Sequence, residues 1–90
     1  MNEERHIIVT GVVQGVGFRA AVKRHAIGYQ IKGYVRNLPD GRVEICVQGT
    51  PARINAFVET IQAKPGLGRI DVIEVTQRKA TSVFDSFEVI

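Results

Sequence analysis

One cysteine, two histidines and no tryptophan leave this chain poor in the residues with which small proteins bind metals or staple themselves. A lone Cys46 cannot form an internal disulfide, which suits a reducing compartment, and with His6 and His25 scattered it completes no metal-ligand set. The expectation is a protein with no metal and no cofactor. No apolar run approaches the roughly 20 residues of a membrane span. The N-terminus, Met1-Asn2-Glu3-Glu4-Arg5, is polar rather than basic and then apolar, so it is no secretory signal. These absences predict a soluble, cytoplasmic protein with no membrane partner. Linkers, low-complexity segments and internal repeats are also missing, so residues 1–90 read as one domain. What is present is ordinary for a packed core: 44% hydrophobic and 23% charged residues. The net charge of +3 points towards an anionic partner without saying which.

Along the chain, residues 6–13 have the β-branched composition of a strand. Residues 18–29 repeat Phe18, Val22, Ala26 and Tyr29 at helical spacing, although the end is untidy. Gly28 lies a turn too early, and Gln30 stands where a left-handed glycine would be expected. Residues 32–37 form a second strand, Leu38-Pro39-Asp40-Gly41 a turn, and residues 42–48 a returning strand. That strand alternates, with Val43, Ile45 and Val47 on the core face and Cys46 looking away onto an open face. Thr50 caps a second helix that begins with Pro51, carries Ile54, Phe57, Val58 and Ile61, and runs to about Gln62. Residues 69–78 read as a strand whose alternation slips between Val72 and Ile73, as at a bulge, and residues 84–90 add a short last strand. The order β, α, β, β, α, β predicts an α+β, ferredoxin-like (split βαβ) sandwich: an antiparallel sheet with two helices on one face. Its crossovers make the first two strands parallel, which brings Asn37, at the end of the second, near the loop that follows the first.

That loop is the candidate site. Between the first strand and the first helix stand Gln14, Gly15, Val16, Gly17, Phe18 and Arg19. Glycines allow successive backbone N–H groups to turn inward, the first amides of a helix have no intrahelical partner, and Arg19 adds a charged fork, so the segment is a candidate anion cradle. Gly15-x-Gly17-x-x-Ala20 fits a dinucleotide fingerprint on paper, but a hairpin-centred domain of this size has no crevice between parallel strands to hold one. A Walker-type loop would need Gly-Lys-Ser/Thr where Gly17-Phe18-Arg19 stands. The serious alternative is a basic RNA-binding module of the same topology, with Tyr34 as a base-stacking residue. Against it, the third strand carries no aromatic, and Tyr34 reads better as a half-buried strand residue.

Two longer stretches carry a resemblance. Gly11-Val12-Val13-Gln14-Gly15-Val16-Gly17-Phe18-Arg19 and Gly33-Tyr34-Val35-Arg36-Asn37-Leu38-Pro39-Asp40-Gly41-Arg42-Val43, closing at Gly49, are similar to the two signatures of the acylphosphatase family. The spacing from Arg19 to Asn37 also matches, and only Gly28 and Gln30 depart from the pattern. The resemblance implies hydrolysis of acyl phosphates to a carboxylate and inorganic phosphate, without metal or covalent intermediate. It implies catalytic roles for Arg19 and Asn37. Arg19 grips phosphoryl oxygens together with the amides of Gln14 to Phe18, and Asn37 orients the attacking water. The implied partners are a small acyl phosphate and phosphate, with no nucleic acid, and the protein is expected to be a monomer.

Overall fold

The computed structural model describes residues 2–80 and 82–90. Its elements follow in the order β1 (Glu3–Val12), α1 (Phe18–Gly28), β2 (Lys32–Asn37), β3 (Val43–Gly49), α2 (Pro51–Ala63), β4 (Arg69–Arg78) and β5 (Phe87–Val89). The strands form one sheet in the order β4-β1-β3-β2-β5. β1 and β2 both run antiparallel to β3 and are therefore parallel to each other, as the split βαβ order requires. One correction concerns the sheet as a whole. It is mixed, because β5 pairs parallel with β2 through Gly33↔Phe87 and Val35↔Val89.

The core lies between the sheet and the two helices, where an apolar stripe on each element meets its counterparts. Ile7, Val9, Val35, Val43, Ile45 and Val47 from the strands pack with Phe18, Val22 and Ala26 of α1 and Ile54, Phe57 and Ile61 of α2. Each of these side chains removes apolar surface from water, which contributes about 1.5–3 kcal/mol for a fully buried Val, Ile or Phe.

The other face of the sheet differs from expectation. Since β4 and β5 occupy opposite edges, the chain after Arg78 has to cross from one edge to the other. It does so over the face away from the helices. Phe84 N–H donates to Gln48 Oε1 at 3.0 Å, Gln48 Nε2 donates to Ser82 O at 2.7 Å, and the Phe84 ring meets Tyr34 edge-on at 5.8 Å. Cys46 thus looks away from the helices as expected but does not lie on an open face, being 2% exposed. Burial pushes its thiol pKa up to about 11, so it is an inert packing group rather than a nucleophile.

Helix ends and the bulge also resolve in detail. In α1, Tyr29 is the C-cap, Gln30 N–H reaches Ile27 O at 3.0 Å and Ile31 N–H reaches Ala26 O at 2.8 Å, which together close a Schellman motif. Gln30 takes the left-handed position in it, with φ 57°. The bulge falls one residue from where alternation placed it. Thr10 pairs with Val72 and Gly11 with Ile70, so Asp71 is the extra residue on β4.

Candidate active site

The β1–α1 connection is built to leave backbone donors free. Gly15 and Gly17 have φ of 73° and 76°, a left-handed conformation that a side chain would resist. Gly17 is the N-cap of α1, and no side chain accepts from the first turn, nor is any acidic residue present there. The contrast with α2 is informative, since there Thr50 Oγ1 accepts from Arg53 N–H at 3.3 Å. α1 therefore presents its first amides, and the positive end of its dipole, without internal compensation.

Phe18 is anchored in the core at 1% exposure, which fixes the orientation of the first helical turn. Arg19, the next residue, is half-buried and has no carboxylate partner among the described residues, unlike Arg5, Arg36, Arg42 and Arg69, each of which is paired. A cavity of about 210 Å³ adjoins it, walled by Val13, Gly15, Gly17, Ala20 and Val89. Val16 packs against the core, while Gly15 and Gly17 stay exposed.

Gln14 has a role that sequence reasoning missed. Its side-chain Nε2 donates to Leu38 O at 2.8 Å and to Arg42 O at 2.9 Å, tying the loop to both arms of the β2–β3 hairpin. The partners lie 24 and 28 residues away, so no local pattern announces them. The hairpin itself is closed by Gly41 N–H to Leu38 O at 3.2 Å and Leu38 N–H to Arg42 O at 2.8 Å. The Arg42 backbone amide, then its guanidinium, hold the Asp40 carboxyl below its usual range. This pairing commits Arg42 to Asp40 within the hairpin.

Asn37 closes β2, immediately before the carbonyl that Gln14 binds. Strand alternation puts it on the face of Val35, which is fully buried under the helices. Among the described residues, Asn37 Oδ1 is a buried side-chain acceptor without a donor. Leaving such an atom unpaired costs about 1–3 kcal/mol, a cost that folds tolerate mainly where a ligand or water completes the bond. No three of the described His, Cys, Asp and Glu residues are grouped within reach of one metal ion.

Residues 5–89 match the family model described as Acylphosphatase. The acylphosphatase of Caldivirga maquilingensis is 43% identical over 84 residues, which is 92% of this chain and 88% of that protein. The acylphosphatase of Chlorobaculum tepidum is 38% identical over 91 residues, covering 100% and 99%. The crystal structure of acylphosphatase from Bacillus subtilis superposes with a TM-score of 0.90 at 36% identity, over 100% of this chain and 99% of that one. With a family match over nearly its whole length, the chain belongs to the acylphosphatase family, hydrolases that act on the anhydride bond of acyl phosphates.

Proposed function

We propose that hydrolysis in this chain is carried by Arg19, the Gln14–Phe18 backbone and Asn37. The substrate phosphoryl group sits in the loop, with two oxygens on the Arg19 guanidinium and the third on backbone N–H groups, so preplaced donors meet the charge that spreads over these oxygens in the transition state. Asn37 Oδ1 accepts from a water and aligns it opposite the acyl oxygen. The water oxygen bonds to phosphorus as the bond from phosphorus to the acyl oxygen breaks. The acyl oxygen leaves with the electron pair as carboxylate, and the water proton passes to a phosphoryl oxygen. Because a carboxylate is a stable leaving group, no general acid is required.

One observation carries this reading: Asn37 Oδ1 is a buried side-chain acceptor without a donor among the described residues, and it stands next to Leu38, whose carbonyl Gln14 binds from the loop that carries Arg19. All the groups come from one chain, which supports a monomer as the working unit. A lone, buried Cys46 fits a cytoplasmic location. The RNA-binding alternative is not favoured, since Phe84 packs edge-on to Tyr34 on the face where bases would stack. The test is turnover of benzoyl phosphate with and without chelator. Equal rates are expected, and loss of activity on chelation would refute the metal-free mechanism.

A further inference from the structure

A cavity of about 680 Å³ lies away from the β1–α1 loop. Lys32 lines it at the start of β2, whereas Asn37 ends that strand, so these two residues stand about 17 Å apart at roughly 3.3 Å per residue. Three cations from three different elements converge there: Lys23 of α1, Lys32 of β2 and Arg53 of α2. None has a carboxylate partner among the described residues, although five ion pairs form elsewhere. The lining contains one acid, Glu88, for a formal balance of three positive charges minus one negative, or +2. Glu88 in turn accepts from Ser86 Oγ at 2.7 Å.

Like charges gathered around a concavity repel one another, with a Debye length of about 8 Å at physiological salt, and an anion between them reverses the sign of that energy. One side is of a different character. Ile27, 60% exposed, presents hydrocarbon beside the cations. The Gln48 amide at the wall is already committed to Glu4, Ser82 and Phe84, so recognition falls to the cations and Ile27.

We propose that this cavity is a second anion site, for a small organic molecule that carries two or more negative charges at one end of an apolar body. It is separate from the phosphate loop and binds without competing for it. Phe87 and Glu88 wall this cavity and the next residue, Val89, walls the other, so any test has to hold the loop occupied. The probe is ADP, titrated calorimetrically into the full chain at physiological salt with saturating inorganic phosphate. Saturable binding is expected. It should weaken at least about tenfold in Lys32→Ala/Arg53→Ala, whose side chains are exposed and outside the catalytic machinery, with kcat for benzoyl phosphate unchanged. Simple competition between ADP and phosphate, or an affinity indifferent to the double substitution, would overturn the proposal. Pyrophosphate binding as tightly as ADP would overturn the part assigned to Ile27, and an oligonucleotide outbinding ADP at the same residues would replace the small molecule with nucleic acid.

Discussion

In the proposed mechanism Arg19 binds the phosphoryl group and Asn37 the attacking water, and their substitutions separate accordingly. Arg19→Ala removes charge-assisted bonds that exist with product as well as in the transition state. Inhibition by inorganic phosphate should therefore weaken at least about tenfold while turnover also falls. Equal phosphate affinity in variant and parent would take Arg19 out of the cradle. Asn37 touches the water rather than the phosphate, so Asn37→Ala should lower kcat about 100-fold or more and leave phosphate inhibition and folding nearly unchanged. Asn37→Asp keeps an acceptor oxygen but sets a negative charge beside an anionic substrate, and should raise KM as well. An aspartate variant with kcat and KM both unchanged would disprove the placement of Asn37 beside the anionic substrate. At this scale both side chains were legible as residue types at a spacing. The Gln14 side chain was not, because its partners are backbone carbonyls that only the closed hairpin brings within reach.

The two helices illustrate how far local rules carry at the scale of an element. Thr50 followed by Pro51 announces the start of α2, and the structure agrees. α1 starts without a side-chain cap, which leaves free the donors that the proposed mechanism assigns to phosphate. Its other end was legible only in part. The missing glycine suggested an untidy stop, yet the Schellman bonds form with Gln30 in the left-handed position, and Ile31 beyond it is drawn into the core. Left-handed backbone costs a residue with a Cβ about 1–2 kcal/mol, partly offset by the extra freedom glycine has when unfolded. Gln30→Gly should accordingly stabilise the protein by about 0.5–1 kcal/mol in urea denaturation. A destabilised variant would show that the Gln30 side chain contributes contacts that outweigh the strain.

On the scale of the whole molecule, the face opposite the helices is a second, polar layer. Every residue of β3 is buried, and Glu44 on that face is held by His6 Nε2 at 2.6 Å and by Arg36. Burial opposes ionisation of Glu44, but the hydrogen bonds from His6 and Arg36 outweigh it and hold the carboxyl below its usual range. A group with a depressed folded-state pKa contributes stability that is complete above its unfolded value, here near 4.5, and lost as pH falls through the lower folded value. Glu44→Gln should thus destabilise the protein at neutral pH and flatten the loss of stability below about pH 4.5. Equal acid sensitivity in variant and parent would show that the cluster contributes nothing through this proton. By itself the sequence determined the element order, the split βαβ fold, the core face of β3 and the family signatures, because these depend on periodicity and on residues close along the chain. Only the tertiary structure decided that β5 joins parallel, that Ser82 and Phe84 pack over the sheet face on which Cys46 is buried, that Gln14 clamps the hairpin and that Lys23, Lys32 and Arg53 share a cavity. The physical reason is that each of these is a contact between distant segments, whose geometry depends on which strands become neighbours and not on the local pattern of either partner.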